Sequence, residues 1–457
     1  MSLKGFDVPA EFTPYMLCNA TTMLKIYDQE SFEWFFGDGT ETGSGTTGGG
    51  WSYSESGGLV TITVPFGQVV IFVPCEEGGT LNTFNGNRGY VLKTRVRVSP
   101  HTHLIGFNEN KTIIARDDTS GHKEDLKLFT ESLDTKSASV SGGDRFNISS
   151  TTEYAEGDMV VYEKNNTFYR VIDVVSGTQL QVERDIDDTG GGSAQISKMN
   201  QGIVFSGWAF DGRCNVNGLG GSVTDTTRNG GGLLIPYCGQ SVFSLKGINC
   251  QTGLNGGFIS GEGLSAYLNI RNIISCQAGA PSTDGQGGAV YGCHHSLFRD
   301  IRFTKAYYAG GAIAGCNYAH ASQFYACQAL DGYALTALGG GLYNCQHSLI
   351  EMIEKCISEG HGGAGANCDY SEIRMIMSNK AANNGGGFYD SDYSELSNFY
   401  NNIASNSAAH SCNNSVYLGT WRGNTGGHID ASNSIAIVTF EGGAGSHVSS
   451  SAESLDL

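Results

Sequence analysis

From about residue 238 onward, the apolar positions of this chain follow neither the 3.6-residue period of a helix nor the strict alternation of a long strand. Apolar side chains recur in pairs three apart: Phe298 and Ile301, Ala321 and Phe324, Ile350 and Ile353, Ile373 and Ile376, Leu396 and Phe399. Each pair begins two places after a Ser or Ala, and three places beyond it stand Thr304, Cys327, Cys356, Asn379 and Asn402. Steps of two, three and three exclude one unbroken strand. They predict short strands, each with one or two inward residues, separated by tight bends.

The pairs are spaced by a repeated signature of two glycines, a few residues, Cys, two residues, then Ser or Ala. It reads GGAVYGCHHS at Cys293, GGAIAGCNYA at Cys316, GGLYNCQHS at Cys345 and GGAGANCDYS at Cys368, with Ser391 replacing Cys in GGFYDSDYS. The steps between these positions are 23, 29, 23 and 23 residues. Weaker copies surround Cys238 and Cys412. A period near 23 with a glycine pair in every unit would break helical repeats, and no fixed leucine spacing supports a leucine-rich repeat. The expected fold is all-β: a parallel β-helix in which each repeat is one coil and like residues stack on like.

Stacking accounts for most of the cysteines. Cys238, Cys293, Cys316, Cys345, Cys368 and Cys412 are expected in one internal column and Cys250, Cys276, Cys327 and Cys356 in another, as small apolar filling. Asn379 and Asn402 continue the second column and suit an asparagine ladder between coils. The 13 cysteines contain no CxxC pair. Buried free thiols in adjacent coils imply assembly in a reducing compartment.

The remaining chain divides by pattern. Residues 1–50 are expected to form an N-terminal attachment or capping segment ending in a flexible Gly-rich linker, GDGTETGSGTTGGG. The GxGxxG pattern of Gly43, Gly45 and Gly48 within it is no dinucleotide site, because no strand precedes it and no helix follows. Residues 51–135 read as opening coils, 136–195 as an inserted small β-barrel-like domain with turns at Asn165-Asn166 and Ser176-Gly177, 196–440 as the main β-helix, and 441–457 as a flexible tail.

Composition agrees with a β-rich rod. Of 457 residues 66 are Gly, about 14%, yet only 7 are Pro, which excludes collagen. Charged residues are only 16%. The net charge of −18 argues against a nucleic-acid partner and against anionic membrane surfaces. No apolar run is long enough to span a bilayer, and MSLKGFDVPAEF lacks the apolar core of a secretion signal, so synthesis in a cytoplasm is expected.

Chemistry-bearing motifs are few, and no cofactor or metal is expected. The Walker, GxSxG and HExxH patterns are absent. His101 and His103 are expected on one strand face without a third ligand, and Asp185, Asp187 and Asp188 read as a solvated turn rather than a calcium site. Two places after the column cysteine the repeat carries His295, Tyr318, His347, Tyr370 and Tyr393. This aromatic stripe is expected to face outward, as a solvated stripe whose rings stack on each other, as a subunit contact, or as a glycan-binding surface with rings against sugar faces. Asp369 with Asp392, and Glu372 with Glu395, lie one coil apart, near the carboxylate separation of retaining glycosidases, and are weak catalytic candidates.

The GGAxxxC coils, the LIGFNENKTIIARD opening, the inserted β domain and the separate N-terminal segment together resemble the right-handed parallel β-helix proteins of tailed bacteriophages: tailspikes, tail fibres and related appendages. The resemblance covers about residues 57–440 and concerns architecture, since similar coils occur in pectate-lyase-like enzymes and secreted adhesins. It implies a structural virion-surface protein, a tailspike, tail fibre or capsid decoration, made in a bacterial cytoplasm. Its implied partners are copies of itself in a homotrimer, other virion proteins through the N-terminal segment, and host surface polysaccharide. The alternative it carries is a polysaccharide lyase or glycoside hydrolase. Against the tailspike pattern, the chain is short and has no recognisable C-terminal trimerisation domain.

Overall fold

The short strands stack coil upon coil into a parallel β-helix. The structure, a computed structural model, describes residues 23–81, 87–117, 125–189, 194–213, 229–280, 283–331, 336–425, 429–441, 448–449 and 453–456. One column of mutually parallel positions runs Ile62, Val96, Leu128, Leu233, Ile259, Val290, Ile313, Leu342, Gly365, Phe388, Ala409, Ile429 and Val448. At the inter-strand spacing of ~4.8 Å these coils make a rod of about 58 Å.

Each coil is cut into pieces by residues in the left-handed region. In the coil that starts at Gly362 they are Gly362 (φ 66°), Asn367 (55°), Tyr370 (56°) and Ser378 (54°). Between them run the two-residue strands Gly365–Ala366, Glu372–Ile373, Ile376–Met377 and Lys380–Ala381. These bends produce the two, three, three spacing of the sequence. Only the first corner demands glycine: a Cβ on Gly362 would collide with the Gly365 carbonyl oxygen. The other corners leave room for a side chain, and Asn, Ser, Tyr and His occupy them.

Inside, the two cysteine columns are present and every cysteine in them is free and buried. The first contains a coil that the signature did not reveal. Ser265 stands between Cys238 and Cys293, accepting from the Cys238 N–H at 3.2 Å and pairing in register with Cys293. The second runs from Cys250 and Cys276 through Thr304, Cys327 and Cys356 into Asn379, Asn402 and Asn424. Burial pushes the Cys238 thiol up to about 12 and holds Cys345, Cys356 and Cys368 well above the ordinary thiol range.

The end of the rod near residue 23 is closed by residues that the sequence assigns to an attachment or capping segment and its linker. Strand Met23–Ile26 pairs in parallel with Val69–Phe72. The helix Gln29–Phe36 starts at a capping box between Asp28 and Ser31. It buries Phe32 and Phe36 against Phe72 and Tyr90. The Gly-rich stretch is no free linker. Ser44–Thr46 pairs with Ser52–Ser56, and Gly48 and Gly49 lie so close under Trp34 and Phe35 that a Cβ on either would collide with the ring. Low complexity here reflects close approach of aromatic rings to backbone.

The inserted domain is a closed six-stranded antiparallel barrel of Asp134–Val140, Arg145–Ile148, Met159–Tyr162, Thr167–Ser176, Gln179–Val182 and Gln195–Lys198. Phe146, Tyr169, Leu180 and Ile196 fill its core. Its ends meet, since Asp134 pairs with Lys198. The barrel interrupts one coil between Leu128–Phe129 and Asn200, and Asn200 is in register with Cys238. It therefore leaves the rod at the corner bearing the aromatic stripe. Met159, Val161, Phe168 and Met199 seal it onto Tyr237, Leu264, Ala266 and Tyr267 of the rod.

Candidate functional site

The corner that follows the first cysteine column carries a continuous run of aromatic side chains, with Tyr318, Tyr370 and Tyr393 exposed. Two residues after the column position, the backbone is left-handed at Gly67, His101, Gly202, Gln240, Tyr267, His295, Tyr318, His347, Tyr370, Tyr393, Asn414 and Asn433. The left-handed turn throws the side chain outward, and the coil spacing brings successive rings into contact. From Tyr267 through His295, Tyr318, His347 and Tyr370 to Tyr393, ring centroids are 5.1, 4.5, 4.9, 4.9 and 5.0 Å apart. The planes are 18°, 3°, 7°, 11° and 4° from parallel.

The rings of the stripe stack on each other, which disfavours one of the expected chemistries. Ring faces between Tyr267 and Tyr393 are covered by neighbouring rings, so a sugar cannot lie flat on them. What the column offers is edges: Tyr318, Tyr370 and Tyr393 are half-exposed, presenting hydroxyls and imidazole nitrogens at one-coil intervals. Tyr267 was absent from the sequence-predicted stripe because its coil has Ser265 where the signature has cysteine.

Flanking positions hold the corner rigid. One place before the rings, side chains accept the backbone N–H of the next coil: His294 Nδ1 from Asn317, Asn317 Oδ1 from Gln346, Asp369 Oδ1 from Asp392, Asp392 Oδ1 from Asn413 and Asn413 Oδ1 from Ser432, at 2.6–3.2 Å. One place after the rings, Ser348, Ser371, Ser394, Ser415 and Ser434 form a second ladder of opposite sense, each hydroxyl accepting from the backbone N–H of the preceding coil. The Ser of the repeat signature is therefore a backbone cap at a bend.

Three of the four carboxylates considered for catalysis have visible partners. Asp369 and Asp392 belong to the N–H ladder. Burial, and then the Asp392 charge, raise the Asp369 pKa, and Asp390 is raised by burial and by the Asp392 and Asp369 charges. Glu372 and Glu395 are in register on the next strand, with Glu372 bound to Arg374 at 2.7 Å. The two histidines of the opening coils do not share a face. His101 lies exposed at the left-handed corner against Phe66, while His103 is buried and burial depresses its pKa. Asp187 and Asp188 are engaged within the barrel by Thr189, Tyr162 and Lys164. Among the described residues, no group of His, Cys, Asp and Glu gathers to hold a metal.

A cleft of about 520 Å³ opens where the stack meets the barrel. The rod contributes His294, His295, Asn317 and Tyr318, and the barrel contributes the turn from Asn165 to Phe168 together with Arg184. Phe168 stands edge-on to His295 and closes one end. Arg184 is held by a 2.6 Å bond from Nη2 to the Phe168 carbonyl and lies over the Tyr169 ring. Burial, and then the charge of neighbouring His295, lower the His294 pKa to about 4, and burial followed by the Arg184 charge lowers that of His295. Both imidazoles are thus neutral at pH 7. The sequence marked the Asn165-Asn166 turn but not the cleft, whose two walls are far apart in the chain and meet only through the insertion.

No family model matches the chain, and no curated protein matches it in sequence. Solved structures do share its course. A tailspike of Pseudomonas phage phi297 is similar over 83% of this chain and 66% of its own, at 12% identity and a TM-score of 0.41. A tailspike of Acinetobacter baumannii bacteriophage AP22, solved with an A. baumannii capsular saccharide, is similar over 84% and 64%, at 13% identity and 0.40. A mannuronan C-5 epimerase module of Azotobacter vinelandii is similar over 84% and 90%, at 10% identity and 0.37. The chain thus spans just under two thirds of the length of these two tailspikes. The likeness is one of fold, a parallel β-helix of the kind that tailspikes have.

Proposed function

We propose that the protein is a structural virion-surface component of a tailed bacteriophage, a tailspike, tail fibre or capsid decoration, that holds host surface polysaccharide. The cleft at the junction of ring stack and barrel carries this reading. It is concave, lined by amides, hydroxyls and ring edges, and built on two rigid elements, which is what recognition of a hydroxyl-rich chain requires. In the proposal the rod acts as a homotrimer, and residues 1–50 join it to other virion proteins.

Binding of purified host capsular or lipopolysaccharide fragments, followed by calorimetry, tests the reading. Saturable binding that Tyr318→Ala weakens severalfold supports it, and absence of binding to any host fragment overturns it. Antibody labelling of purified particles tests the virion location. The polysaccharide-cleaving alternative is read in the same mixtures: release of new reducing ends that Asp369→Asn and Asp392→Asn abolish would replace binding by hydrolysis or elimination.

A further inference from the structure

We infer that the cleft between the barrel and the ring stack selects a saccharide bearing carboxylate groups, with Arg184 as its charge-recognising residue. The inference rests on the glycan-binding reading above and adds the chemical class of the ligand. Its first support is the local reversal of charge. The chain has 45 acidic against 27 basic residues and a net charge of −18, yet the cleft lining contains one guanidinium and no carboxylate. Glu183 stands 3.7 Å from Arg184 Nη1 but outside the lining.

The second support is the balance of donors and acceptors. Around the cleft three acceptor atoms are already engaged by backbone N–H groups. Asn165 Oδ1 accepts from Thr167 at 3.2 Å, Asn317 Oδ1 from Gln346 at 3.0 Å, and His294 Nδ1 from Asn317 at 3.2 Å. The donors are left over. Among the described residues, the side-chain nitrogens of Asn166 and Asn317 have no hydrogen-bond partner within the protein, while Arg184 bonds the Phe168 carbonyl and the Tyr267 hydroxyl. A guanidinium beside unpaired amide N–H groups suits a ligand rich in acceptor oxygens. A carboxylate opposite a guanidinium is the strongest such pairing, bidentate where geometry allows. A neutral hydroxyl can also be held by the amides and hydroxyls of the lining, but it gains no charge-assisted bond from Arg184.

The test uses matched pairs: uronate-containing capsular or exopolysaccharide fragments and the same fragments after reduction of their carboxyl groups, titrated into the full chain. The acidic member should bind roughly ten- to hundredfold more tightly than its reduced partner, with affinity falling as salt rises. Arg184→Gln should remove that preference, bringing the affinity of the acidic member to within about twofold of its reduced partner in the same variant. Because Arg184 also rests on the barrel, a second variant guards against a folding artefact. Asn317→Asp keeps an oxygen for the Gln346 N–H, as Asp369 does for Asp392, but places a carboxylate in the cleft, and should likewise abolish binding of the acidic member. Equal or tighter binding of the reduced fragments, or an acidic preference that survives both variants, overturns the charge assignment and leaves saccharide binding intact. If neither member of any pair binds, the saccharide reading and this inference fall together.

Discussion

At the scale of single residues, the fold depends on side chains that serve the backbone of a neighbouring coil. Asn402 is the clearest instance. Its Oδ1 accepts from the Asn379 N–H and Nδ2, while its Nδ2 donates to the Ile376 carbonyl and to Asn424 Oδ1. Asn402→Ala leaves several buried polar groups unpaired at once and is expected to cost at least about 3 kcal/mol, read as a shift in denaturant midpoint. Asp369 tests the opposite case, a ladder position where charge is unnecessary. Asn317 and Asn413 do the same task in other coils, so Asp369→Asn keeps the acceptor and removes repulsion among Asp369, Asp390 and Asp392. The folded pKa of Asp369 is raised above its unfolded value, so the native state binds more protons between the two values and loses stability as pH rises through the folded one. The variant should equal the parent near pH 3 and exceed it at pH 7 by a few tenths of a kcal/mol to about 1, because the group is only partly buried. A gain that persists at pH 3 would refute the electrostatic cause.

At the scale of the coil, stability turns on which corners tolerate a side chain. Gly362→Ala places a Cβ in a left-handed corner and against the Gly365 carbonyl, and should cost about 2 kcal/mol or more. Asn367→Gly, at another left-handed corner of the same coil, should be neutral or stabilising by up to about 1 kcal/mol. Thermal midpoints of the two variants measured side by side decide whether the corners differ as the backbone implies. These corners also show how much the sequence disclosed. The glycine pairs, both cysteine columns and the outward aromatic stripe were legible because one physical constraint repeats every coil. Ser265 and Tyr267 escaped because one coil substitutes Ser for the signature Cys, which the pattern treats as a gap and the backbone treats as equivalent. Gly48 and Gly49 misled in the other direction, because low complexity does not say whether a glycine is free or crowded by a ring. The cleft was illegible for a third reason: its walls come from a repeat and from an insertion, and no periodicity links them.

At the scale of the whole molecule, the barrel is an addition to a rod that is already closed without it. Leu128 stacks directly between Val96 and Leu233 although the barrel lies between 128 and 233 in the chain, so the column does not pass through the insertion. The barrel has its own core, and its first and last strands pair at Asp134 and Lys198, leaving ends that a few residues can bridge. Replacing residues 135–197 by a short Gly-Ser turn should therefore leave a folded β-rich rod, measured by circular dichroism and a cooperative melt. Two losses should accompany it. The rod loses the apolar cover over Tyr237, Leu264, Ala266 and Tyr267, which should lower its melting temperature and increase self-association. The cleft loses Arg184 and the Asn165–Phe168 wall, so saccharide affinity should fall to background even though the stack from His295 to Tyr393 survives. Retention of full affinity by the shortened rod would move binding from the cleft to the exposed ring edges, and collapse of the rod would show that the barrel is part of its folding rather than an addition to it.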